Sequence, residues 1–356
     1  MTNFSGSYSC KDVEFLLKVI EMEMTSVEDK EELIQSGTAH YSDMLSQEPE
    51  PSVEHLDIFN KAVETGEERL ANEVLILAKA LSKKYVSKPI VLVSLVRAGV
   101  PLGVLLHRAL KDMGHKSYHY GISIIRDRGI DDKAMKVIEG KHGTESIVFV
   151  DGWTGKGAIT KQLTESLLDR DGYPEKPRLV VLADPCGMAW LSASYEDWLI
   201  PFGILGAPIS GLVSRSVWSS EDYHGCVICD HLKSFDYSKT FADKIHNIQL
   251  SCDTNYIPDI TCSNKTSKKL QELSINIIND LSYKFNINNI NRIKPGIAEA
   301  TRAILRRVPD HVLVRDKCDP DVELLVMLAK KKGIIVEEVG SQLGQYRAVT
   351  IIKKVL

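Results

Sequence analysis

The chain has 356 residues, 44% of them hydrophobic and 26% charged, with a formal net charge of -4. That length supports a sizeable core and more than one domain, while the charge excludes a globally basic nucleic-acid binder and leaves room for a local basic patch. No charged-then-apolar leader follows Met1 and no apolar run reaches about 18 residues, so the expectation is a cytoplasmic protein with no membrane partner.

Apolar spacing over residues 13–20 and 70–81 predicts helices, and residues 1–80 read as a helical flank or hood without a core of its own. From Pro89 the pattern alternates: strand 90–93, helix 101–113, strand 118–125, strand 147–150, helix 158–168 and strand 179–183. Such repeats predict an α/β core over 81–262, a mostly parallel sheet with helices on both faces. Residues 263–293, rich in Asn, Lys and Ser, read as a linker carrying an amphipathic helix over 270–281. Residues 294–356 predict a small α/β module: helix 297–307, strand 311–315, helix 321–331, strand 334–339 and a last strand over 348–352.

Seven cysteines, an odd number, suit free thiols in a reducing compartment. Cys226 and Cys229, with His224 and His231 nearby and Cys252 and Cys262 downstream, match no common zinc spacing and read as core thiols on a buried strand.

Two strand-to-helix passages carry glycine turns at the carboxyl ends of predicted strands, where open α/β sheets bind ligands. The first ends in Val96, Arg97, Ala98 and Gly99; the second ends in Asp151 and the turn Gly152, Trp153, Thr154, Gly155, Lys156, Gly157. Asp151 follows four apolar residues, so it emerges at a strand end, where its carboxylate can accept from sugar hydroxyls or hold a hydrated magnesium ion. The turn can present backbone N–H groups to a phosphate at the start of a helix. A Walker P-loop is excluded, because it needs glycine where Val150 stands and serine or threonine where Gly157 stands. The plain alternative is a tight turn whose glycines serve geometry alone.

A hydrophobic strand ending in an acid, then a Thr/Gly turn and a helix, resembles the ribose-phosphate signature of type I phosphoribosyltransferases. Val96 to Gly99 is similar to that family's pyrophosphate loop, and residues 124–132, with Arg126 and Arg128, lie where such enzymes carry a flap. The resemblance implies Mg2+ at Asp151 and phosphoribosyl pyrophosphate or a related nucleotide as ligand. It also implies transfer of ribosyl phosphate with Asp151, Arg97, Arg126 and Arg128 as catalytic residues. Gly152 departs from the pattern, which usually has a second acid there.

Residues 4–8, 40–45, 210–216 and 223–225 together resemble bacterial tellurium-resistance and stress-associated proteins, some of them labelled cysteine protease StiP. In that resemblance Ser210, Ser214 and Arg215 line the acceptor side of the cleft. A papain-type nucleophile would stand directly before Trp190, where the chain has Ala189; Cys186 follows Asp184 and Pro185 at a strand end and is the thiol left for a peptidase reading. A further alternative is a non-catalytic nucleotide or RNA sensor. Residues 294–304, with 312–316 and 319–320, resemble the Pelota RNA-binding fold, which implies structured RNA as a partner through Gly296, Glu299 and Arg302; Ala298 replaces that family's asparagine.

Overall fold

The computed structural model describes residues 4–252, 258, 260 and 264–354. Where a helix is predicted over 13–20, the chain forms two short strands, β1 (Glu14–Phe15) and β2 (Lys18–Val19). The reason is visible in the burial: Phe15 and Leu17 enter one core while Leu16 enters another, a period of two. Helix α1 (Val27–Gln35) is capped by Ser26, and the 32-residue α2 (Val53–Lys84) by Ser52, whose hydroxyl accepts from the His55 N–H. The first eighty residues therefore supply an edge strand and a covering helix to the main body.

The main body continues with β3 (Ile90–Leu95), α3 (Gly99–Asp112), β4 (Ser117–Ile122), β5 (Ile124–Ile125), β6 (Gly129–Ile130) and α4 (Asp132–His142). There follow β7 (Ile147–Val150), α5 (Ala158–Leu167), β8 (Leu179–Ala183), β9 (Leu191–Ser194), α6 (Pro201–Ile204), β10 (Gly225–Cys226) and α7 (Ser238–Ser251). Six strands form one sheet in the order β1-β4-β3-β7-β8-β9, every pair parallel. Leu92 and Val148 face α2 and α3, whereas Val91, Val93 and Phe149 face α4 and α5. Both faces are covered, which is why these strands read as unbroken apolar runs. The strand predicted over 118–125 breaks at Ser123 into β4 and the small antiparallel β5–β6 hairpin.

The last unit comprises α8 (Asn264–Lys284), β11 (Ile293–Pro295), α9 (Ile297–Arg306), β12 (Pro309–Val314), α10 (Glu323–Lys331), β13 (Ile335–Glu338) and β14 (Ala348–Ile352). Its mixed sheet runs β11-β14-β12-β13. Helix α8 is not a free linker: Ile277, Ile278 and Leu281 share a core with Leu313, Tyr346 and Val349. Helices α9 and α10 place Ile297, Ile304, Leu324 and Leu325 in the core that α2 and α3 occupy. Among the described residues no helix is long and apolar enough to cross a membrane.

Candidate functional site

The chain leaves β3 toward β4 on one side and leaves β7 toward β8 on the other, so the crevice beyond the β3 and β7 carboxyl ends is the switch point of the sheet. A cleft of about 800 Å³ opens there, with residues of the main body on one wall and of the C-terminal module on the other. Val96, Arg97, Ala98, Arg126, Asp151, Arg215 and the turn from Trp153 to Gly157 line the first wall; Lys294, Glu299, Arg302 and Arg306 line the second. Residues expected in two separate sites thus meet in one.

Asp151 is buried at the end of β7, and its carboxylate accepts the N–H of its own neighbour Gly152 at 2.8 Å. Burial pushes the carboxyl up to about 7, a rise the Gly152 N–H and Arg302 only partly offset. The Gly152–Gly157 turn is largely spent on structure. The Thr154 N–H donates to the Ala183 carbonyl at 3.0 Å and the Thr154 hydroxyl to Asp184. Tyr346 of the module donates its hydroxyl to the Gly155 carbonyl at 2.7 Å. Lys156 caps the carbonyls of Ile290 and Ile293, the latter at 2.9 Å. A Cβ on Gly155 would lie 3.0 Å from the Pro295 carbonyl oxygen and 3.2 Å from Glu299 Cγ, so the module rests directly against the turn. Burial alone would raise the Glu299 carboxyl, but Lys294 and Lys156 outweigh it and hold it below its ordinary range. A carboxylate pressed on the turn opposes a phosphate there.

The arginines divide. Arg97 is buried, donating to Glu48 at 2.6 Å and to the Val213 carbonyl at 3.1 Å. Arg97 and Arg306 overcome the burial of Glu48 and hold its carboxyl at about 2. Arg128 turns away from the cleft: it pairs with Asp43, bonds Ser42 at 3.0 Å and lies 4.6 Å over the Trp218 ring. Arg215 lines the cleft over Tyr41 and donates to the Met44 carbonyl. Arg126 and Arg302 form no ion pair with any described residue, and each leaves a buried Nε without a partner; Arg302 stacks 4.5 Å over Trp153. Gly99 opens α3 against the β7 end.

Ser210 and Ser214 do not reach the cleft. Their hydroxyls serve the loop, donating to the carbonyls of Gly206 and Arg215 at 2.8 Å each. Gly296, with φ of 88°, donates its N–H to the Ala348 carbonyl and starts α9 against Asp197. Sequence reasoning missed Lys30, Glu48 and Asp197, none of which sits in a motif. Cys226 and Cys229 are both buried, Cys226 in β10 as expected, while Cys229 stands outside the strand at the start of a 3-10 turn; Cys262 lies outside the described residues. Among the described residues no group of three or more His, Cys, Asp or Glu side chains could hold a metal ion. A magnesium ion at Asp151 would therefore rest on one carboxylate and its own waters, beside Arg302.

Residues 6–246 match the family model for the tellurite-like stress resistance cysteine protease StiP, and residues 272–354 match that for the PELOTA RNA binding domain. The cysteine protease StiP of Acinetobacter baylyi (strain ATCC 33305 / BD413 / ADP1) is 49% identical over 365 residues, covering 99% of this chain and 94% of that protein. Two structures of hypoxanthine phosphoribosyltransferase from Trypanosoma cruzi, one in complex with the product IMP, are each 16% identical over 36% of this chain. They give TM-scores of 0.27 and 0.28 over 75% and 77% of their own chains.

These findings correct the expectation of a phosphoribosyltransferase acting on phosphoribosyl pyrophosphate. A relative alike along nearly the whole chain carries a cysteine protease's name, not a transferase's. The geometry supplies a physical reason: the turn meant for the ribose phosphate is filled by Glu299, Tyr346 and the capped Lys156, while Arg97 and Arg128 are committed to Glu48 and Asp43. The chain belongs to the family of tellurite-like stress resistance cysteine proteases named StiP.

Proposed function

We propose that this protein is a thiol peptidase of a tellurite-like stress response, with Cys186 as its nucleophile. The observation that carries this reading is the setting of Cys186: among the described thiols it is the one that donates to a carboxylate, Asp184, at 3.8 Å, just past the carboxyl end of β8. The name of the Acinetobacter relative supports it. In the reaction the thiol proton passes to Asp184, the sulfur attacks the peptide carbonyl, and the departing amine takes the proton, leaving a thioester on Cys186. Water then attacks the thioester, giving a proton to Asp184 that returns to the departing sulfur as the acid product leaves. At rest the thiol is suppressed: burial and then Asp184 push it well above its ordinary range. Helix α8 covers the loop, with Gln271 donating to the Gly187 carbonyl at 2.7 Å, so substrate reaches the sulfur only when α8 lifts. The test is hydrolysis of unfolded casein by the full chain. Cys186→Ser is expected to abolish it, and Cys10→Ser and Cys318→Ser, at exposed thiols, to leave it intact. Hydrolysis that survives Cys186→Ser removes this thiol from the mechanism.

A second reading, RNA binding, is favoured by the cleft itself. Its described lining carries eleven Lys and Arg side chains against three carboxylates, in a chain whose net charge is negative. Half of those charged side chains belong to the module that matches an RNA-binding domain. A fall in RNA affinity with rising salt is the expected signature, since phosphate contacts release counterions.

A further inference from the structure

The face of α9 that the Pelota resemblance assigns to RNA is not an open surface. Glu299 lies against Gly155, Arg302 covers Trp153, and Gly296 abuts Asp197 of the main body. A kinked duplex, two stacked strands thick, does not fit a cleft of about 800 Å³ walled on both sides. A single strand can. The cations inside are unusually available: Arg126 and Arg302 keep buried Nε atoms with no partner. Burial lowers Lys294 to about 8 although Glu299 opposes it, and burial with Arg97 lowers Arg302 to about 10 against Asp151, Glu48 and Glu299, so both stay charged near neutrality and a further anion would favour them.

Outside the cleft lining, on the segment that carries its lining residues His40 and Tyr41, stands an aromatic surface. Trp218 is 41% exposed, and its backbone N–H is tied to the Ser42 carbonyl, next to the cleft-lining His40 and Tyr41. Arg128 lies over one face of its ring and fixes it in place through Asp43 and Ser42. A single strand leaving the cleft across His40 and Tyr41 would meet this exposed, braced indole, and phosphates on cations with a base on an aromatic ring is how single-stranded nucleic acid is held. An acidic peptide would use the cations but not the indole.

Resting on the RNA-binding reading, we propose that the cleft between the parallel sheet and the C-terminal module takes a single-stranded RNA segment, with phosphates on Arg126, Arg302 and Lys294 and a base stacked on Trp218.

The test is fluorescence anisotropy with the full chain and a labelled ten-nucleotide single-stranded RNA, run against a kinked RNA duplex, AMP and poly-glutamate as competitors. The single strand is expected to outcompete the duplex. Trp218→Ala, a surface change that leaves the fold intact, is expected to weaken it about fivefold or more, and Arg126→Ala about tenfold with a shallower salt dependence. Tight duplex binding indifferent to Trp218→Ala overturns the cleft proposal and leaves the RNA reading standing. Displacement of the strand by AMP at equal concentration also overturns it, in favour of a free nucleotide. Binding of poly-glutamate with no binding of any RNA overturns both.

Discussion

Asp151 is an acid kept where its charged form is unwelcome. Its native pKa of about 7 stands above the ordinary 3.8, mainly through burial. Between those two values the native chain holds a proton that the unfolded chain has already released, so stability falls as pH rises through that window and is constant above it. Glu299 adds to the rise and Arg302 opposes it. Asp151→Asn keeps an oxygen to accept the Gly152 N–H and removes the charge. Urea denaturation should show this variant more stable than the parent at pH 8, by about 2–4 kcal/mol, with the difference gone at pH 4. An equal gap at both pH values would mean the carboxyl is not the cause. Asp151 was legible in the sequence because an apolar run of four puts the next residue at a strand end. Arg128, Ser210 and Ser214 were not legible as loop-serving groups, because what they bond is set by folding: Asp43 lies 85 residues from Arg128.

Elements meet most closely where side chains are absent. A Cβ on Gly99 would lie 2.0 Å from the Val150 carbonyl oxygen, so α3 begins in direct contact with the end of β7. Backbone cannot yield as a side-chain tip can, and Gly99→Ala should cost about 2–4 kcal/mol, read as a lower Tm. Gly140, inside α4, has nothing within 4 Å of its would-be Cβ. There the same substitution should raise stability by about 0.5–1 kcal/mol, because alanine loses less backbone freedom on forming a helix. Opposite signs from one chemical change separate close packing from helix propensity, and a fall at both positions would sink the argument. The strands β3, β7 and β8 were legible because burial on both faces demands apolar runs. The segment over 13–20 was not, since consecutive apolar residues satisfy a helix period and a strand crossing between two cores alike. Helix α4 buries only Ala134, Met135 and Ile138, too narrow a stripe to announce itself.

The whole molecule depends on how the module is held against the sheet, because the cleft has a wall from each. Several links are surface ion pairs, such as Lys61 with Glu323 and Lys331 with Glu54, which water and salt screen. Asp197 is of another kind. It is 7% exposed, and its carboxylate accepts the Ile297 N–H at 2.9 Å and the Arg347 N–H at 2.8 Å, joining the loop after β9 to the first turn of α9 and the residue before β14. Burial raises its carboxyl to about 6, which these two N–H groups hold from going higher. Removing it leaves one buried and one part-buried donor unsatisfied, so Asp197→Ala should cost about 2–4 kcal/mol. Lys61→Ala should change stability by less than about 1 kcal/mol. The loss should also be local: hydrogen exchange of the α9 amides should quicken while those of β3 and β7 stay protected, since both N–H groups that Asp197 holds belong to the module and neither to the sheet. Uniform loss of protection in both places would show instead that the module and the sheet unfold as one unit, and that α9 has no separate freedom to open the cleft.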